Sequence, residues 1–141
     1  MTKTTFISLV IMMASALIGC ATQPVSTAVA APVPRDRILA PELLQQKDGL
    51  GAVIIKRDSG FAGSGCSARV FVDAKPAADL RPSEQVVLHL STGDHILSAQ
   101  PNGVCGGGMV ETRVRVTPTE TAIFRMGYGT AGDFTFTPTA F

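Results

Sequence analysis

The chain has 141 residues, 12 basic and 11 acidic side chains, a formal net charge of +1, no tryptophan and one tyrosine, Tyr128. That length allows a single small domain besides any leader, and the balanced charge leaves no electrostatic footprint for nucleic acid and no strong steering toward anionic lipid. The scarcity of aromatics argues against carbohydrate platforms and base-stacking surfaces. In chain order, Lys3 supplies a positive start, and an apolar run from Phe6 to Leu17 follows, broken only by Ser8 and Ser15. At about a dozen residues the run falls short of the roughly 20 that cross a bilayer core. Small residues at its end complete the layout of a secretory signal.

The run closes on Leu17-Ile18-Gly19-Cys20. This tetrad resembles a bacterial lipoprotein signal, and the resemblance implies that residues 1–19 are removed and that Cys20 is lipidated as the new N-terminus. Two or more acyl chains on one residue give stable anchoring where one gives marginal binding. The next residue is Ala21, where an aspartate would resemble an inner-membrane retention mark. Its absence favours the outer membrane, with the domain facing the periplasm or the cell surface. Removing 19 residues from 141 leaves 122, and only Lys3 departs among the charges, so the mature chain is formally neutral.

Residues 20–49 read as a lipidated cysteine and a flexible tether. Ala21 to Arg37 is rich in Ala, Val, Thr and Gln and punctuated by Pro24, Pro32 and Pro34. Such a composition buries little surface and favours an extended spacer that lifts the domain off the membrane. Pro41 to Lys47 can form one or two helical turns with Pro41 at the first position, and Leu43 and Leu44 are placed to dock on the domain.

Residues 50–141 change to strands and turns. Ala52–Arg57 and Arg69–Asp73 are β-branched runs, and Asp73-Ala74-Lys75-Pro76 reads as a turn. Val86, Leu88 and Leu90 alternate with Gln85, Val87 and His89; Gly93-Asp94 reads as a turn before His95–Ala99. Val110, Thr112, Val114 and Val116 alternate with Glu111, Arg113 and Arg115, a half-buried strand. Thr117–Glu120 turns into a strand from Thr121 to Met126, and Asp133–Pro138 closes the chain with Phe134 and Phe136 on one face. Short strands, frequent turns and no helical period predict an all-β fold, an antiparallel sandwich of about seven or eight strands.

One stretch carries a second resemblance. Val70-Phe71-Val72-Asp73-Ala74-Lys75-Pro76-Ala77-Ala78-Asp79-Leu80 resembles the hairpin of PEGA-like domains, and Val87 to Leu90 with Gly93-Asp94-His95 resembles their following turn. With Arg57-Asp58-Ser59-Gly60, the chain is similar to a group of small bacterial lipoproteins of uncharacterised function that carry PEGA-like sandwich domains. Ala74 stands where that hairpin usually has glycine, and a tight turn requiring positive φ is strained there.

Cys66 and Cys105 are an even pair in an exported chain, and disulfides persist where the compartment oxidises. A bridge between them closes a loop of about 40 residues, worth roughly 4 kcal/mol in loop-closure entropy. Both cysteines sit in glycine-dense segments, 60–67 and 103–108, so the bridge is expected to pin two loops at one end of the sheet. The first is not a phosphate loop, because Cys66 stands where the lysine belongs and no helix follows. Loops on a rigid scaffold often carry function, which makes Phe61 and Ser64 candidate binding residues. Arg113 and Arg115, with Glu111, form a charged stripe that either is solvated or docks an envelope partner. A zinc site requires three or four converging ligands; His89, Asp94 and His95 alternate across a strand's faces and do not form one. No serine sits in a nucleophile elbow, and only four glutamates exist. The expectation is therefore a non-enzymatic, membrane-anchored envelope lipoprotein with no cofactor, metal or nucleic-acid partner and a binding or structural role. The alternative is an inhibitor or accessory subunit of a cell-wall enzyme or secretion complex.

Overall fold

A computed structural model describes residues 21–141; the leader and Cys20 lie outside the described residues. The fold is all-β. The strands are β1 (Ala31–Pro32), β2 (Leu50–Arg57), β3 (Ala68–Val72), β4 (Lys75–Leu80), β5 (Glu84–Ser91), β6 (Gly93–Pro101), β7 (Val110–Val116), β8 (Ala122–Tyr128) and β9 (Phe134–Pro138). They form a five-stranded sheet in the order β1-β5-β2-β8-β9 and a four-stranded sheet in the order β4-β3-β6-β7. Eight of the nine strands are the expected sandwich; the ninth, β1, has two residues and comes from the segment read as tether. Most neighbours are antiparallel, but β2 pairs β8 and β1 pairs β5 in parallel.

Alternation decides which side chains meet between the sheets. Val53, Ile55, Leu88, Phe124, Met126 and Phe136 come from one sheet, and Val70, Leu97, Ala99, Val114 and Val116 from the other; all are buried in one cluster. Strand β7 has the bounds its pattern predicts, with Val114 and Val116 inward and Glu111, Arg113 and Arg115 exposed. It is an edge strand, so those charges also discourage pairing with another edge.

The hairpin β3–β4 pairs Val72 with Lys75, leaving Asp73-Ala74 as a two-residue loop. Both residues have positive φ, 48° and 66°, the requirement of a type I′ turn. Ala74 is therefore strained where glycine would not be. The expected Gly93-Asp94 turn differs, because β5 continues to Ser91 and β6 already begins at Gly93, leaving Thr92 alone at the corner.

Residues 21–49 depart furthest from the tether expectation. The segment has little regular structure, with a 3-10 turn at Arg35–Arg37, but it does not hang free. Thr22, Ala30, Val33 and Ala40 are buried. Gln23 bridges Ser59 through reciprocal backbone bonds of 2.8 and 2.9 Å. The Gln85 amide donates to the carbonyls of Thr27 and Ala30 at 2.9 and 3.0 Å, and Arg37 forks onto Glu84 at 2.5 and 2.6 Å. Pro41–Leu44 is a single 3-10 turn that half-buries Leu43 and leaves Leu44 exposed. Composition alone misses this strap because its backbone is paired by the domain rather than by itself.

The strands define two ends. One gathers loops 58–67, 81–83, 102–109 and 129–133; the other gathers 45–49, 73–74, residue 92 and 117–121.

Candidate functional site

The first end is built around a disulfide and a buried cation. Cys66 and Cys105 are bonded with their Cα atoms 6.1 Å apart, joining loops 58–67 and 102–109. Arg57, the last residue of β2, is 2% exposed. Its guanidinium donates to the carbonyls of Gly63 at 2.6 Å, Cys66 at 2.6 Å and Leu80 at 2.8 Å. Among the described residues no carboxylate lies within ion-pair distance of it. Burial pushes the Arg57 guanidinium down from its usual value, with Glu84 opposing from a distance; an arginine remains charged throughout the working range. The side chain therefore acts as a three-carbonyl clamp that fixes the glycine-rich loop. Gly63 is the position that only glycine fits: its φ is 67°, and a Cβ there would meet the Tyr128 ring at 2.2 Å. The Tyr128 hydroxyl in turn donates to the Gly106 carbonyl at 3.2 Å.

A second buried network lies beside this clamp. Asp58, also 2% exposed, accepts two bonds from Arg125, at 3.2 and 2.6 Å, and one from the Thr22 hydroxyl at 3.1 Å. The Thr22 amide donates to the Tyr128 carbonyl at 2.9 Å, and the Tyr128 amide donates back to Thr22 Oγ1 at 2.8 Å. Gly127 leaves the space: a Cβ there would stand 2.3 Å from both Asp58 Oδ2 and Thr22 Oγ1. The chain thus leaves the fold toward Cys20 from the same end that carries the disulfide.

Of the candidate binding residues, Phe61 stands 86% exposed on the first loop. Ser64 lines a cleft of about 700 Å³ with Arg37, Arg81, Ser67 and Asn102. Arg113 and Arg115 lie elsewhere, on the outer side of the four-stranded sheet. Arg115 reaches Asp94 at 3.0 Å, and Arg113 borders a small recess with Asp73, Asp94 and His95. The structure therefore splits the four candidates between two places and makes no single site of them. No protein-family model matches the chain, and no curated protein matches it.

The far end holds a cluster that sequence spacing misses. His95 Nδ1 lies 2.7 Å from Asp73 Oδ2, and its Nε2 lies 2.8 Å from the Ser91 carbonyl and 3.3 Å from the Ser91 hydroxyl. Serine, histidine and aspartate are thus in triad order beside a groove of about 460 Å³. The hydrogen bonding opposes that use. Both ring nitrogens face acceptors, which favours a proton on each, and an Nε2 that donates to the Ser91 carbonyl does not take the serine proton. Burial pulls the imidazole down, but the bonds to Asp73 and Ser91 outweigh it, and the net shift is upward. Asp73 is held below the usual carboxylate range by the Ile96 amide first and His95 second. The cluster is a histidine clamp on the β5–β6 corner. Antiparallel pairing of β3 with β6 is what brings Asp73 to it, and alternation along a strand carries no signal for that pairing. Asp94, the other carboxylate considered with His95, is paired instead with Arg115.

Proposed function

We propose that the chain is a lipid-anchored envelope protein, held through Cys20 in the outer membrane, with a non-enzymatic binding or structural role. The observation that carries the reading is the Leu17-Ile18-Gly19-Cys20 tetrad at the end of a short apolar run. Two features support it. A cross-loop disulfide fastens a small domain, which suits an oxidising compartment. The one serine–histidine–aspartate arrangement found among the described residues spends the histidine's protons on structural acceptors. The hairpin from Val70 to Leu80 fits the PEGA-like lipoprotein group proposed from its turn chemistry.

The test is the intact mass of the mature protein extracted from membranes, before and after reduction with alkylation. A chain beginning at Cys20 with added acyl mass, whose Cys66 and Cys105 are alkylated only after reduction, is the expected result. An unlipidated chain would remove the anchoring, and thiols free without reductant would remove the exported, bridged domain.

A further inference from the structure

The most exposed large apolar side chains among the described residues lie at the end from which the chain leaves for Cys20. Val104 is 100% exposed, Phe61 86%, Val29 75% and Phe141 59%. Phe61 and Val104 are carried by the two loops that the disulfide joins. Phe61 follows Gly60, whose backbone lies against Ala21 and Thr22: a Cβ there would meet Thr22 Cα at 3.2 Å and the Ala21 carbonyl at 3.7 Å. Val29 and Phe141 border a shallow recess with Pro24 and Ser59, beside the Gln23–Ser59 bridge. At the far end no large apolar residue among the described residues is more than 41% exposed.

Charge divides the ends in the same way. Loops 58–67, 81–83, 102–109 and 129–133 carry only Arg81 and Asp133 as exposed charges, since Asp58 is buried and paired. The far loops carry Lys47, Asp48, Asp73 and Glu120. A surface tipped with Phe and Val on glycine-rich loops can enter the headgroup boundary with few charges to desolvate, and Arg81 beside Val104 can meet lipid phosphate.

Cys20 is the residue next to Ala21, and adjacent Cα atoms are about 3.8 Å apart. Thr22 is pinned by its amide and hydroxyl, so no spacer separates the anchor position from the fold. We propose that this end of the sandwich rests on the bilayer, with Phe61 and Val104 inserted at the headgroup–acyl boundary and the disulfide and Arg57 holding their loops in shape. The inference rests on the lipid-anchored reading and makes the domain membrane-apposed rather than held off on a stalk.

The chain has no tryptophan, so single substitutions F61W and V104W report their own surroundings, with T119W as a far-end control. Each full-length lipidated variant, its acyl mass confirmed, is reconstituted into phosphatidylethanolamine–phosphatidylglycerol vesicles containing lipids brominated on the acyl chain. Groups seated roughly 5–10 Å into the boundary should lose about half their emission in F61W and V104W, with T119W unchanged. Because both loop-tip positions are exposed, either variant can stand in if the other folds poorly. Equal emission from all three variants in protein of lipidated mass overturns the apposition and leaves the anchoring intact. A mass without lipid overturns both. A blue shift that grows with protein concentration in lipid-free detergent, without quenching in vesicles, assigns the patch to contact between copies and also overturns the proposal.

Discussion

The two ends of the sandwich are closed by different chemistry. At the disulfide end, a covalent bond, a buried guanidinium on three carbonyls and the Thr22–Asp58–Arg125 network fix loops that have almost no regular structure. At the far end, a strained two-residue turn and a half-exposed histidine–carboxylate contact are sufficient. The difference reflects what each end must hold. Long glycine-rich loops lose much conformational entropy on ordering and need strong cross-links, whereas a two-residue hairpin is nearly closed by its own strands.

The largest effect should come from the bridge. Replacing Cys66 and Cys105 together with serine should lower unfolding free energy by about 4 kcal/mol, read as a shift in urea midpoint. Unchanged stability would mean that the loops are held without it. Arg57→Met should follow, at about 3 kcal/mol, because buried carbonyls lose a charged donor; a loss confined to a few tenths would show that water replaces the clamp. Gly127→Ala should cost about 2 kcal/mol by forcing apart Thr22 and Asp58, and limited proteolysis should then cut residues 21–30 before the core.

The far end should respond more weakly and, at one position, in the opposite direction. Ala74→Gly should stabilise by about 1 kcal/mol, since alanine is held at a φ of 66°; a destabilised variant would contradict the strained turn. The His95–Asp73 contact gives the smallest effect, under about 1 kcal/mol once screening at the half-exposed Asp73 is counted. The His95 imidazole is raised, so its contribution is complete below the unfolded value of about 6.5 and is lost as pH rises through the folded value. Asp73 is lowered, so its contribution is present above about 3.9 and is lost as pH falls through its folded value. Stability measured across that window should lose this slope in Asp73→Asn.

What the sequence reveals follows the same division. Strand β7 is legible residue by residue because one face is buried and the other charged. The Cys66–Cys105 bridge is legible because the one other cysteine, Cys20, closes the apolar run and leaves these two in glycine-dense segments. The turn at Asp73-Ala74 is legible in position, with its strain flagged by the missing glycine. The strap is not legible. Its Ala, Pro and Thr composition matches a spacer, and what holds it are backbone bonds to Ser59 and Tyr128 and one threonine hydroxyl on a buried aspartate. Arg57 is equally hidden, because an arginine at a strand end usually faces water, and only the fold reveals the three carbonyls around it. The parallel pairing of β2 with β8 escapes for a related reason: alternation fixes faces but not strand order.

Amide hydrogen exchange at Thr22 and Gln23 measures most directly whether the chain beside Cys20 belongs to the fold. Both amides are bonded, to the carbonyls of Tyr128 and Ser59 at 2.9 and 2.8 Å. They should exchange slowly, with protection comparable to their partner strands, and lose it in Gly127→Ala. Exchange at the rate of an unstructured peptide, while β2 and β8 stay protected, would contradict the docked strap and restore a free tether ahead of the domain.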